Sequence, residues 1–109
     1  MKKIKELLLA IILFAVCVVA ITYLYNNNTW LTIVFVIITA LIFLKWHEKE
    51  DLSYYFTAFI LGPIGESLTI HQGAWYYSNP TFFGLPLWAP MAWGAAVTII
   101  RRISIMVLK

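Results

Sequence analysis

Four hydrophobic runs, separated by short polar segments, follow one another along the chain. They cover residues 7–25, 30–46, 52–72 and about 85–104. A helix that crosses a bilayer needs about 20 predominantly apolar residues at ~1.5 Å per residue. The fourth run is uncharged only as far as Ile100 and continues through Arg101 and Arg102, whose side chains can reach the headgroups. The pattern predicts an all-α polytopic membrane protein, with four transmembrane helices in one domain over residues 1–109.

The composition agrees with this class. Of the 109 residues, 62% are hydrophobic and only 12% are charged, whereas about a quarter of the residues in a soluble domain are charged. A soluble domain is therefore excluded. Cys17 lies in the middle of the first run without a second cysteine to pair with, and we interpret it as a small buried hydrophobic residue.

The basic residues indicate an orientation. All eight fall at the same side of a four-span topology: Lys2, Lys3, Lys5, Lys45, Lys49, Arg101, Arg102 and Lys109. Because cytoplasmic loops carry an excess of Lys and Arg, we expect a multi-pass plasma-membrane protein with both termini in the cytoplasm. This topology accounts for the net charge of +3 without a nucleic-acid partner. The first run is longer than a signal-peptide core, so an uncleaved span is favoured over a cleaved signal.

The third run contains the most informative residue, Glu66. It is the one charged residue in the stretch 52–72. A carboxyl group at membrane depth is costly, so it is a functional-site hypothesis by default. The structural alternative is a protonated carboxyl that holds helices together by hydrogen bonds. Both interpretations stay open at this point.

On a helix, this run has two different faces. One face is small and polar and contains Tyr55, Phe59, Gly62, Glu66, Thr69 and Gly73. A second face is wholly apolar and contains Phe56, Ile60, Ile64 and Leu68. We expect the first face to point into the bundle, where Gly62 allows close helix approach, and the second to face lipid. Pro63 predicts a kinked third helix, and if the helix breaks there, Glu66 lies in the first turn of a new half-helix.

The depth of Glu66 restricts its partners. It lies 14 residues from the start of the run, which is about 21 Å along a helix, and therefore in the outer half of the membrane. Arg101 and Arg102 are expected near the inner surface, out of its reach. Trp93 enters from the outer side at a matching depth, and its indole N–H needs a partner when buried. We predict a contact between Glu66 and Trp93, with Tyr76 or Tyr77 as alternative donors.

An aromatic segment joins the third and fourth runs on the outer side. It is either an interfacial belt or the wall of a ligand pocket. The candidate ligand-binding residues are His71, Trp75, Tyr76, Tyr77, Trp88 and Trp93. The candidate structural residues are Gly62, Pro63, Gly73, Pro80, Pro86 and Pro90. Glu66 and His71 supply fewer ligands than zinc requires, so we predict neither a metal nor a cofactor.

The residues 62–94 carry a resemblance. The run Gly62-Pro63-x-x-Glu66, followed by Gly73-Ala74-Trp75-Tyr76-Tyr77, Pro80, Gly84-Leu85-Pro86-Leu87-Trp88-x-Pro90 and Trp93-Gly94, resembles a pattern of small prokaryotic four-span membrane proteins. It is also loosely similar to integral membrane proteins of carotenoid biosynthesis, of the carotenoid hydratase and lycopene cyclase type. The resemblance implies that Glu66 is the acid that protonates a polyene double bond. In architecture alone, the chain is similar to small multidrug resistance transporters.

Three functions remain as expectations from the sequence. The first is binding of an apolar or isoprenoid-like lipid in an outer-leaflet pocket around Glu66, with acid catalysis by Glu66 as an extension, so that enzyme activity is left open. The second is a proton-coupled transporter or channel subunit that acts as an oligomer. The third is a structural or accessory subunit. The expected partners are membrane lipids and either further copies of the chain or a larger membrane complex.

Overall fold

The protein is a bundle of four α-helices. The structure is a computed structural model that describes residues 2–77 and 80–108. Its helices are α1 (Lys2–Leu24), α2 (Asn28–Lys45), α3 (Lys49–His71) and α4 (Ala89–Leu108). The bundle measures 46 × 24 × 20 Å. The predicted all-α class is confirmed.

Three helices of the described chain have the length and apolar composition of a membrane span. They are Lys3–Leu24, Asn28–Lys45 and Ala89–Leu108. These three helices indicate a membrane protein. α3 has 23 residues but is not among them, since Glu66, His71 and several Ser, Thr, Tyr, Gly and Pro residues dilute its apolar residues. That α3 also crosses the membrane stays a prediction.

Side chains cap the starts of α2 and α3. The Oδ1 of Asn27 accepts a hydrogen bond from the backbone N–H of Trp30 at 3.1 Å, as expected for a residue that precedes a helix. At α3, Glu48 is the capping residue and forms a capping box with Asp51, whose carboxylate accepts from the backbone N–H of Glu48 at 3.1 Å. The polar segments between the hydrophobic runs therefore define where these helices begin.

α4 begins at Ala89, later than the predicted residue 85. The residues before it form a tight turn, in which the backbone N–H groups of Phe82 and Leu85 each donate to the other residue's carbonyl at 3.0 and 2.7 Å. Pro90 lies in the first turn of α4, where a helix tolerates a missing N–H because that group has no helical partner. Leu85, Pro86 and Trp88 are buried in this segment without being helical, whereas Leu87 is exposed.

α3 is a single continuous helix through Pro63. A helix that broke at Pro63, the alternative considered above, is therefore wrong, and Glu66 does not lie at the start of a half-helix. Glu66 lies instead five residues, or about one and a half turns, before the carboxyl end of α3 at His71. A bend at Pro63 stays a prediction.

α4 is the central helix. It contacts α1, α2 and α3, and α3 packs chiefly against α4. The core lies between α1, α2 and α4, where Phe35, Ile42, Ala95 and Ile99 are fully covered. α3 is consequently a peripheral helix. It packs chiefly on α4 and also contacts α2, where Tyr55 shares a 2.5 Å hydrogen bond with Thr39.

Candidate functional site

α3 and α4 approach closely because each places an aromatic ring on a glycine of the other. A Cβ added to Gly62 of α3 would lie 2.3 Å from the indole of Trp93. A Cβ added to Gly94 of α4 would lie 2.9 Å from the ring of Tyr55. Only glycine leaves room for these rings. The reciprocal packing fixes the position of Trp93 relative to α3.

This packing presents Trp93 to Glu66, one turn beyond Gly62. The indole Nε1 of Trp93 donates to Oε1 of Glu66 at 2.6 Å. The hydroxyl of Tyr77 donates to Oε2 at 2.8 Å. The predicted contact between Glu66 and Trp93 is confirmed, and of the two alternative tyrosines it is Tyr77 that also donates. Each carboxylate oxygen thus accepts one hydrogen bond from an uncharged donor.

Aromatic side chains hold Tyr77 in this position. Its ring packs edge-on against Trp75, with centroids 4.9 Å apart, and against Trp88 at 5.8 Å. Trp88 in turn stacks on Phe35 of α2 at 5.9 Å. A row of rings therefore connects the core to the hydroxyl that donates to Glu66. Burial raises the pKa of Tyr77 above its ordinary range, and the hydrogen bond to Glu66 and the charge of Glu66 raise it further, so Tyr77 stays a donor at physiological pH.

The tight turn at residues 82–85 is hydrogen-bonded to α3. The hydroxyl of Ser67 donates to the carbonyl of Phe83 at 3.0 Å. Phe83 and Gly84 both have positive φ angles, 46° and 81°, the combination that two-residue hairpin turns of type I′ require. A Cβ at Gly84 would also lie 2.9 Å from the side chain of Ile70. The turn therefore depends on glycine at position 84 for both its backbone angle and its space.

A groove of about 870 Å³ runs along α3 beside Glu66. Its wall on α3 extends from Ser53 to Thr69, which is sixteen residues or about 24 Å of helix axis. Trp93 and Val97 of α4 form the opposite wall, and Trp75 borders the end near Glu66. The lining is mostly apolar, and Glu66 is its one charged side chain among the described residues. The site is an open, elongated, mainly apolar groove with a carboxyl group near one end.

The structure distributes the other candidate residues over separate places. Glu66, Gly62, Trp75 and Trp93 line the groove. A smaller cavity of about 270 Å³ lies on the other side of the aromatic row and is lined by residues that include Trp75, Tyr76, Tyr77, Pro86 and Trp88. His71 is exposed and lines a third cavity with Ser67 and Phe83.

The remaining structural candidates lie at helix or turn positions. Pro63 is buried within α3, and Pro90 is in the first turn of α4. Gly73 follows α3 with a φ of 86°, which ends the helix in the left-handed conformation that glycine favours. Pro80 is exposed, at the edge of the described part of the segment.

Several groove residues were not among the candidates. They include Ser53, Thr57, Ala58, Leu61 and Gly65 of α3. A Cβ added to Gly65 would meet no atom within 4 Å, so this glycine borders open space. A partial signal for this wall exists in the sequence, since Ser53, Thr57, Gly65 and Thr69 recur at multiples of four residues. Such a row drifts by about 40° around the helix at each step of four, so it winds along α3 and does not stay on one face.

A second polar cluster lies at the opposite end of α3, around Asp51. Its carboxylate is fully buried and accepts from Arg101 Nη1 at 2.6 Å and from Arg102 Nε at 3.0 Å, and Arg102 Nη2 also bonds to it. Arg102 also reaches Glu48 at 2.5 Å. Nearby, Trp46 Nε1 donates to Glu6 at 2.9 Å. The cluster therefore joins the beginning of α3 to α4, and lies next to the beginning of α1 and the end of α2.

The arginines determine the charge state of Asp51. Burial raises the pKa of this carboxyl, but the hydrogen bond and charge of Arg102, the backbone N–H of Glu48 and the charge of Arg101 outweigh burial and hold the pKa below its ordinary value. Asp51 is therefore ionised at neutral pH. The expectation that the two arginines lie far from Glu66 is met, since both bond to Asp51.

The described residues contain no group of three or more His, Cys, Asp or Glu side chains placed to hold a metal ion. Comparison of the chain with protein-family models, with curated proteins and with solved structures finds no match. The resemblance to carotenoid-biosynthesis proteins stays an expectation from the sequence. The case for function therefore depends on the geometry of the groove and of Glu66.

Proposed function

We propose that this protein spans the membrane four times and binds an elongated apolar or isoprenoid-like lipid in the groove between α3 and α4. In this topology both termini are cytoplasmic, and Glu66 lies in the outer half of the membrane. The observation that carries the proposal is the groove itself. It is long, mainly apolar, open at the side, and carries a positioned carboxyl group.

The dimensions of the groove favour a long, thin ligand. Its wall on α3 covers about 24 Å, most of a hydrocarbon core of about 30 Å. Ligand pockets are typically concave and mostly apolar, with a few fixed polar groups that set orientation. Here Glu66 and Thr69 supply polar groups at one end, and Ser53 supplies one at the other. The occupied region would thus extend beyond the outer leaflet in which the sequence placed it.

The position of Glu66 in the groove wall allows it to contact such a ligand. A carboxyl group that served only to join helices would be enclosed, whereas Glu66 is partly exposed and lines open space. Tyr77 and Trp93 fix the orientation of the carboxyl group. As an extension of the proposal, a protonated Glu66 would transfer its proton to a double bond of the ligand, which breaks the O–H bond and the π bond and forms a C–H bond. Glu66 is left as a carboxylate that both donors stabilise, and the ligand is left as a carbocation that loses a neighbouring proton back to Glu66, so that the double bond is shifted.

Bound lipid provides the test. We would purify the native protein and the variants Gly65→Leu and Glu66→Gln in a neutral detergent, then extract and identify the retained lipids by mass spectrometry. Gly65→Leu is expected to lose bound lipid, because its side chain occupies the groove at a position with open space. Glu66→Gln is expected to change the amount or identity of that lipid.

Glu50→Gln is the matched control, because it makes the same chemical change at an exposed position in the first turn of α3. It should retain the native lipid. Identical lipid content in the native protein, Gly65→Leu and Glu66→Gln would overturn the proposal.

One observation favours the alternative of an oligomeric proton-coupled transporter. The hydroxyl-bearing residues Ser53 and Thr57 continue the polar lining away from Glu66, so two copies that met at this groove would enclose a partly polar path. Cross-linking between cysteines introduced at position 57 in two copies tests this arrangement. A monomeric protein that still retains lipid would exclude it.

A further inference from the structure

The groove has one charge and no counter-charge. None of its described lining residues is basic. The nearest arginines by sequence in the lining helices, Arg101 and Arg102, bond to Asp51, which lies fifteen residues before Glu66 and so about 22 Å away along α3. Tyr77 and Trp93 orient the Glu66 carboxylate but leave its charge uncompensated. A carboxylate in a poorly hydrated site is costly unless a cation pairs with it.

The carboxylate of Glu66 also has unused hydrogen-bonding capacity. An ionised carboxyl group has about four acceptor positions, and Tyr77 and Trp93 occupy one on each oxygen. An ionised carboxylate can only accept, and the N–H of Trp93 and the O–H of Tyr77 already donate to it. The carboxylate therefore offers the groove acceptor positions and no donor. A ligand that approaches along the groove must therefore bring the donor or the positive charge.

The aromatic rings at this end suit a positive charge. One face of the Trp93 indole packs on Gly62, and the side chain also borders the groove and is 37% exposed. Trp75 borders the same end. Tryptophan is the side chain that attracts cations most strongly to its ring face, including quaternary ammonium groups. A carboxylate and two indoles thus surround the same end of an otherwise apolar groove.

We infer that the ligand is a cationic amphiphile, with an ammonium head at Glu66 between Trp75 and Trp93 and a long apolar chain that follows α3 toward Tyr54. This inference depends on the proposed lipid-binding function and names its ligand class. It uses the ionised carboxylate of Glu66, so it keeps the binding proposal and replaces the acid-catalysis extension. A carboxylate-headed chain would be repelled, and an alcohol would gain a hydrogen bond but no charge pairing.

Three probes of equal chain length separate these contributions: octadecylamine, octadecanol and octadecanoate, each radiolabelled. Their retention is measured on the native protein in micelles of a nonionic maltoside detergent at pH 7.4. The amine is expected to bind at least about tenfold more tightly than the alcohol, which corresponds to the strength of a desolvated cation–aromatic contact. The carboxylate should bind most weakly.

Variants then test whether Glu66 is responsible for the preference for an ammonium head over an alcohol head. Glu66→Gln should lower amine binding and narrow the amine preference, because the carboxylate charge is lost while the rings of Trp75 and Trp93 remain. It should leave alcohol binding unchanged. Glu50→Gln removes the same charge outside the groove and should keep the native preference. Gly65→Leu should weaken amine and alcohol alike.

Equal binding of amine and alcohol by the native protein, with both lost in Gly65→Leu, would overturn the cationic head and leave lipid binding standing. No binding of either chain, or no effect of Gly65→Leu, would overturn the proposed function together with this inference. Because the comparison of probes on the native protein needs no substitution, a variant that fails to fold does not remove the test.

Discussion

Asp51 and Glu66 are two carboxylates on the same helix in opposite surroundings. Asp51 has no exposed surface and bonds to two arginines of α4. Glu66 is partly exposed, borders a groove and bonds to two uncharged donors. The first is paired with two arginines and joins helices. The second has acceptor positions that none of the described residues fills. Pairing of the charge, not burial alone, distinguishes the structural carboxylate of Asp51 from the carboxylate for which we propose a function.

The largest effect is expected from removal of the Asp51 charge. Asp51→Asn leaves Arg101 and Arg102 partly buried without their main partner, and the loss of one member of a buried pair costs roughly 3–5 kcal/mol. Denaturant unfolding of the purified protein in micelles measures this loss. Glu50→Gln, at an exposed neighbouring position, should leave the unfolding midpoint unchanged. Equal midpoints for Asp51→Asn and the native protein would show that the cluster does not hold α3 to α4.

Acid should reproduce part of that effect. The folded state lowers the pKa of Asp51, so its contribution to stability is complete above about pH 4 to 5 and is lost as the pH falls through the folded-state value. Unfolding midpoints measured from pH 7 to pH 3 should therefore decrease at the acid end. Asp51→Asn should show a smaller decrease over the same range, and an identical decrease would assign the acid sensitivity to other carboxyl groups.

A smaller effect is expected from the two glycines on the groove side of α3. Gly62→Ala places a methyl group 2.3 Å from Trp93, and such overpacking costs about 1–3 kcal/mol. Trp93 must shift, which also weakens its bond to Glu66. Gly65→Ala is the control, because its methyl group enters open space and alanine favours helix by up to about 1 kcal/mol. The thermal unfolding midpoint should be highest for Gly65→Ala, intermediate for the native protein and lowest for Gly62→Ala. The reverse order would exclude the close packing of Trp93 on Gly62.

The smallest effect on stability is expected for Glu66→Gln. The glutamine carbonyl can accept from Trp93, and the hydroxyl of Tyr77 can rotate to accept from the amide group, so both contacts survive in altered form. The free energy of unfolding should change by no more than about 1 kcal/mol. A loss as large as that of Asp51→Asn would make Glu66 a structural residue and remove the difference between the two carboxylates.

Much of this arrangement could be predicted because it depends on periodicity. The spacing of Phe56, Ile60, Ile64 and Leu68 predicted an apolar outward face, and all four side chains are at least half exposed. Matching depth alone was enough to pair Glu66 with Trp93. Both inferences need only the rise and turn of a helix, which vary little between proteins.

The parts that escaped prediction depend on packing between distant segments. Asp51 lies in a polar segment between two hydrophobic runs, and its role as the partner of both arginines becomes visible only when α3 is placed against α4. A pocket around Glu66 was expected, but its extension along α3 to Ser53 depends on the space between helices, which residue types alone do not define. His71 shows the converse, since it is close to Glu66 in sequence yet lines a different cavity.

The central position of α4 has a consequence for biogenesis. Chains are made from the amino terminus, and α4 is the last of the four helices to leave the ribosome. Until it arrives, Asp51 has no arginine partner, Gly62 has no indole on it, and Glu66 lacks one of its two donors. α3 must therefore remain loosely associated with the earlier helices until then, and the groove beside Glu66 forms only when the last helix docks.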